Sequence, residues 1–230
     1  MSDVERLEQM RARIAAAARA TDRTDQVRLL LAVKTQPTDR IAAVLQTGHD
    51  LIGHNRVQEM AASEPDLDDY PHEVHMIGRL QSNKVNAALR LATCIQSVDS
   101  LRLADRLNRS AQNTQRQVDV FAQVNVSDED TKGGVRPDQA EELCRHIGTL
   151  DHLHLRGLMT IGANSTDESQ VRAGYRELAR LRDAVLASGA RGTEAAGELS
   201  MGMSADLEWA IAEGATMVRI GTGVFGERPH

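Results

Sequence analysis

Eight short runs rich in valine, isoleucine and leucine alternate with stretches of helical periodicity, and the alternation continues until the sequence ends. The candidate strands are residues 28–34, 49–53, 73–78, 93–98, 118–125, 155–162, 197–202 and 216–221. Their near-continuous apolar character is that of strands buried on both faces. Between them lie amphipathic stretches such as "TDRIAAVLQTG", "DSLRLADRLNRSAQ" and "DESQVRAGYRELARLRDAVLASG". Several open on Asp, Ser or Thr and close at Gly, as helix caps do. Eight βα units in 230 residues predict an α/β fold, a single (β/α)8 TIM barrel over residues 1–230 with an extra helix at 3–20 before the first strand. An open doubly wound sheet is the competing arrangement, but no GxGxxG follows the first strand, which runs into Lys-Thr-Gln instead.

A chain of this length can build a core without disulfides or metal. Cys94 and Cys144 are far apart and belong to no CxxC or Cys/His cluster, which fits a reducing cytoplasm. The N-terminus lacks the apolar core of a signal peptide, and no run is long enough to span a bilayer, so a soluble, cytoplasmic chain is expected. The net charge of −6 is spread along the sequence, densest at residues 63–73, and only one Trp, two Tyr and two Phe are present. Nucleic-acid binding calls for a basic face and stacking rings, so it is not expected. His152 and His154 share one side of an extended segment without a third ligand, and no metal site is expected. GxSxG, HExxH and P-loop motifs are missing. The surface helices leave no large apolar stripe, which predicts a monomer.

Barrel proteins place their sites at the C-terminal ends of the strands. There the first strand delivers Lys34, the second His54-Asn55, the fifth Asn125, the sixth Met159-Thr160, the seventh "SMGMS" and the eighth Arg219 followed by "GTG". The turns after strands seven and eight could be ordinary tight turns, or could aim backbone N–H groups and hydroxyls at a phosphate. Two such turns beside Lys34 and Arg219 favour the phosphate. Alternation sets Leu30, Ala32 and Lys34 on one face; the lysine is either a solvated strand end or a residue of the barrel mouth. A lysine partly desolvated near other cations has its amine available to attack a carbonyl. Lysine, phosphate cradle and barrel together suggest pyridoxal 5′-phosphate bound as a Schiff base. Arg219 could then reach the pyridine nitrogen, bind phosphate directly, or simply pack at the barrel end. At the nitrogen it would oppose protonation and weaken the ring as an electron sink.

The blocks "AVKTQP", "IGHNRVQE", "HMIGRLQSNKV", "QSVDS", "VNVSDEDTKGGV", "GLMTIGA" and "LSMGMSADLEWAIAEGATMVRIGTGVFGER" resemble, in order and spacing, the pyridoxal phosphate homeostasis family. The resemblance covers nearly the whole chain. It implies a barrel similar to the N-terminal domain of alanine racemase, with Lys34 forming the aldimine and no established catalytic activity. It further implies that Ser200, Gly221 and Thr222 hold the phosphate, that Arg219 faces the pyridine nitrogen and that Asn55 lies near the ring. His75, Met201 and Ser204 match as pocket surroundings. The sequence departs from the family at His54, usually glutamate, and at Arg56, usually aromatic, both expected at the cofactor rim.

A small pyridoxal-phosphate-dependent amino-acid racemase is the alternative. Racemisation by two bases needs a second proton carrier on the far face of the substrate, a tyrosine from an added domain in alanine racemases. Nine residues follow Gly221, and the tyrosines are Tyr70, in the acidic stretch, and Tyr175, inside a long helical segment. The expectation is therefore a carrier or buffer of the cofactor in vitamin B6 homeostasis, with apo-enzymes as recipients. A barrel that binds some other phosphate ester is the third reading, and there binding would survive loss of the lysine.

Overall fold

The computed structural model describes residues 1–226 apart from 22, 24, 128 and 130. Asp128 and Asp130 of the "VNVSDEDTKGGV" block, and Glu227 and Arg228 of the last block, lie outside the described residues. Eight parallel strands pair in sequence order and close into a barrel: β1 (Arg28–Ala32), β2 (Leu51–His54), β3 (Glu73–Met76), β4 (Cys94–Val98), β5 (Val118–Gln123), β6 (Leu153–Met159), β7 (Glu198–Ser200) and β8 (Met217–Ile220). Closure joins β1 to β8 with Leu29 opposite Val218 and Leu31 opposite Ile220. All eight expected strands form, as a (β/α)8 barrel. Six of them end one to three residues before the expected C-terminal bound, β4 ends on it and β2 one residue beyond it.

Each strand divides its side chains between two cores. Leu29, Leu31 and Val33 face outward into the layer beneath the helices, whereas Leu30 joins Leu51, Cys94, Phe121, Met159 and Met217 in the barrel interior. That alternation is the period-two geometry of a strand. Among these apolar side chains the interior also buries His75, Gln96, Ser200 and Arg219.

The helices are α1 (Asp3–Ala20), α2 (Thr38–Leu45), α3 (Val57–Ser63), α4 (Val85–Leu91), α5 (Leu101–Asn113), α6 (Ala140–Gly148), α7 (Glu168–Ala187), α8 (Leu207–Ala212) and α9 (Thr222–Phe225). Helix α1 starts at a capping box in which Ser2 and Glu5 satisfy each other's backbone N–H groups. It buries Leu7, Met10, Ile14 and Ala17, spaced three and four apart on one face. The helix expected as an extra one has a ring position. The element after β8 is a single turn, too short to cover the seam between β8 and β1, and α1 packs against α2, α8 and α9 there. Arg40 ties it down by donating to Asp3 at 2.6–2.7 Å. No helix among the described residues is long and apolar enough to cross a membrane.

Candidate functional site

Beyond the end of β1 the ladder continues for one bond, from the Val33 N–H to the Gly53 carbonyl at 3.0 Å. Leu30 faces inward and sets the phase, so Lys34, two pairs further on, falls on the inner face at the C-terminal mouth, half-buried. Thr35 follows at φ 60°, a left-handed conformation that costs a β-branched residue on the order of 1–3 kcal/mol. The strained residue turns the chain into α2 immediately after the lysine.

The end of β2 places Asn55 beside it. Gly78 makes the approach possible, since a Cβ there would lie 2.1 Å from the Asn55 carbonyl oxygen. The Asn55 Oδ1 is buried without a hydrogen-bond partner, an acceptor left open for a donor. Asn55 lines a cleft of about 1270 Å3 whose rim carries Arg56, Arg79, Lys84 and Arg102.

Strand β8 delivers Arg219, 5 % exposed. Its Nη1 donates to Ser200 Oγ at 2.8 Å and its Nη2 to the Thr160 carbonyl at 2.6 Å. Both partners are neutral, and no carboxylate forms an ion pair with it among the described residues. Burial pushes its pKa below the usual arginine value, partly offset by the Tyr175 and Asp206 nearby, but a guanidinium keeps its charge. A buried cation without a contacting anion is costly unless something at the mouth accepts from its remaining donors.

The two Gly/Ser/Thr turns do meet. Ser204 Oγ accepts from the Gly223 N–H at 3.1 Å and from the Thr222 hydroxyl at 3.4 Å. Gly221 lets β8 end against β1: a Cβ there would come within 3.2 Å of the Ala32 carbonyl oxygen. Lys34, Arg219 and the 204/222 hydroxyl pair therefore share one sector of the mouth.

Three sequence expectations change. Ser200, expected on a phosphate, is wholly buried inside the barrel; its hydroxyl donates to Gln96 Oε1 at 2.7 Å and its oxygen is taken by Arg219. The inward register position of Ser200 on β7 lies one layer below the mouth, and Ser204 stands in the turn that follows, at the mouth. Met201 is buried in the outer core under the helices, since alternation turns it away from the interior. His54, expected at the rim, also points outward: its Nε2 meets Glu64 Oε1 at 2.8 Å, and Glu64 Oε2 meets His72 Nε2 at 3.0 Å. Arg56, by contrast, stands exposed on the cleft. His75 lies in the interior, against Gln96.

Sequence reasoning missed Gln96. Its signal was a lone amide in the apolar run "TCIQSV", two residues from the inward Cys94. Tyr175 is buried, and its hydroxyl donates to Asp206 Oδ2 at 2.8 Å; burial, then Asp206, pushes its pKa far above the ordinary tyrosine value. Tyr70 accepts from Gln46 at 2.9 Å. Tyr70 precedes β3, away from the C-terminal mouth, and Tyr175 is fully buried with its hydroxyl engaged by Asp206.

The family model of the alanine racemase N-terminal domain matches residues 6–229. The pyridoxal phosphate homeostasis protein of Aquifex aeolicus is 40 % identical over 231 residues, covering 100 % of both chains, and that of Escherichia coli K12 is 37 % identical over 100 % of this chain and 99 % of its own. PipY of Synechococcus elongatus, solved with pyridoxal phosphate bound, superposes with a TM-score of 0.86 at 31 % identity over 98 % of this chain and 100 % of its own. An alanine racemase of Clostridium difficile shares the fold alone, with a TM-score of 0.72 at 15 % identity over 94 % of this chain and 55 % of its own.

Proposed function

Since the chain belongs to the pyridoxal phosphate homeostasis protein family, within the alanine racemase N-terminal domain family, we propose that it binds pyridoxal 5′-phosphate reversibly through Lys34 and buffers the free cofactor for apo-enzymes in the cytoplasm. The observation that carries this reading is Arg219, a buried guanidinium with only neutral contacts, in the same sector as the lysine and the paired hydroxyls. A pyridine nitrogen can accept from one of its remaining donors, and a phosphate suits the Ser204/Thr222 turn. The residues present therefore fit the cofactor. Bound pyridoxal phosphate supplies an electrophilic carbonyl and a conjugated ring able to draw electrons from a substrate.

Lys34 would hold the cofactor through its amine, as an imine whose formation releases one water and whose hydrolysis would return both partners. Ser204, with its own hydroxyl hydrogen, and Thr222, on turning its hydroxyl from Ser204, would hold the phosphate, and Asn55 would border the ring. Arg219 cannot give up its proton, so it keeps the ring nitrogen an acceptor and weakens the electron sink. The tyrosines hold other partners, which supports a carrier over a racemase. Two buried thiols accord with a reducing compartment; burial pushes Cys144 to about 12.

Absorption spectra of the protein incubated with the cofactor test the anchor. The wild type gains a visible band that sodium borohydride abolishes, and Lys34→Ala does not; a wild type without the band overturns the reading, and cofactor retained undiminished by Lys34→Ala favours a general phosphate-ester barrel. Incubation with a panel of amino acids is expected to give no racemisation or transamination, whereas robust turnover dependent on Lys34 makes the protein an enzyme.

A further inference from the structure

A line of hydrogen bonds crosses the barrel interior below Arg219. Arg219 Nη1 and Ser200 Oγ are 2.8 Å apart, Ser200 Oγ and Gln96 Oε1 2.7 Å, Gln96 Nε2 and His75 Nδ1 2.8 Å, and His75 Nε2 and Glu73 Oε2 3.3 Å. Arg28 closes the line by donating to Glu73 Oε1 at 2.8 Å. His75, Gln96, Ser200 and Arg219 are all buried, so water does not compete for these groups.

The two ends dictate every direction between them. A guanidinium only donates, so Ser200 spends a lone pair on Arg219 and turns its own hydrogen to Gln96. Gln96 accepts at Oε1, which leaves its amide nitrogen to donate to His75 Nδ1 and to Met217 Sδ at 3.1 Å. His75 accepts at Nδ1 and so carries its hydrogen on Nε2, where the Glu73 carboxylate takes it. The bond from His75, with Arg28 beyond it, holds the Glu73 carboxyl down at about 2, so the acceptor end stays ionised.

We propose that Gln96 and His75 are positioning residues for Arg219: through Ser200 they hold the guanidinium in one orientation and present its remaining donors to the cofactor ring nitrogen at the mouth. The inference rests on the functional reading above. The guanidinium has two anchors, Ser200 and the Thr160 carbonyl, and two anchors define its plane. When Gln96 cannot accept, the Ser200 hydroxyl rotates to find another acceptor, its lone pair leaves Nη1, and the group swings about the Thr160 bond. A ring nitrogen no longer faced by Arg219 can take a proton, which draws electrons from the Lys34 linkage.

The test compares wild type, Gln96→Leu and His75→Phe after loading with pyridoxal phosphate. In Gln96→Leu the pH midpoint of the visible band is expected to fall by about one unit, with binding about tenfold weaker, as for one lost hydrogen bond to a charged group. In His75→Phe both change in the same direction by less. Thermal unfolding of the cofactor-free variants separates a merely structural role, which lowers the midpoint temperature but leaves the band and its pH midpoint unmoved; that outcome overturns the inference. If Gln96→Leu does not yield folded protein, Ser200→Ala breaks the same line by removing one oxygen and is judged by the same shift. A wild type without the visible band overturns the functional reading, and this inference with it; a wild-type band that Gln96→Leu leaves unmoved overturns the inference alone.

Discussion

Ser200 and Ser204 differ by four positions and face different worlds. One is an interior acceptor for Arg219; the other lies in the turn at the mouth, half-buried, between the Thr222 hydroxyl and the Gly223 N–H. If Ser204 and Thr222 hold the phosphate, Ser204→Ala and Thr222→Val each weaken pyridoxal phosphate binding about tenfold, the loss of one hydrogen bond to an anion. Affinity for pyridoxal, which has no phosphate, stays unchanged. Fluorescence titration with both ligands decides, and an equal loss for the two ligands would remove the phosphate from this turn. The residue types at the mouth were legible in "SMGMS" and "RIGTG" because two such turns follow neighbouring strands beside Lys34 and Arg219, where either one alone would read as an ordinary tight turn. Which serine faced which way was not, because β7 ends at Ser200 and a turn has no fixed side-chain period.

Between β2 and β3 the chain packs as α3 and a short 3-10 turn over Glu64–Asp66, and this connection is held by a buried carboxylate between two imidazoles. Burial raises the Glu64 pKa, but the bonds from His54 and His72 outweigh it and bring it below the usual 4.5. The bond from Glu64 raises His72 above 6.5. A raised histidine stabilises the fold fully below its unfolded value and ceases to as pH rises through its folded one; a lowered carboxylate stabilises above its unfolded value and ceases to as pH falls through its folded one. The cluster therefore contributes most between about 4.5 and 6.5, the unfolded values of the two groups. His72→Gln is expected to cost about 1–3 kcal/mol at pH 6, less at pH 9, in urea unfolding; an equal cost at both values would show that His72 acts without its charge. The sequence marked His54 as a departure but could not reveal its partner Glu64, ten residues further along the chain, or that His72 shares that carboxylate.

Across the whole molecule, the two ends of the barrel divide their tasks. The mouth gathers lysine, hydroxyls and open acceptors, whereas the opposite end carries ion pairs such as Arg28–Glu73 and Arg156–Glu198. His75, then Arg28, lowers Glu73 to about 2, so its stabilising contribution is present above about 4.5 and disappears as pH falls towards 2. Glu73→Gln lacks that contribution at neutral pH, and its stability should decline less steeply between pH 4.5 and 2 in an acid-unfolding series; identical slopes would show that the carboxylate is not tied to the fold. The barrel, its eight strands and the lysine's position at a strand end were determined by the sequence, because strand and helix periods are local properties of a βα repeat; which face the lysine takes was left open by its alternation and was decided by Leu30 entering the closed interior. The ring position of α1 was decided only by tertiary structure, since it depends on how little of the seam α9 covers. So was the line from Glu73 to Arg219. Its members come from four strands, and hydrogen-bond direction between them exists only once closure of the barrel has excluded water and brought Gln96 against Ser200, 104 residues apart.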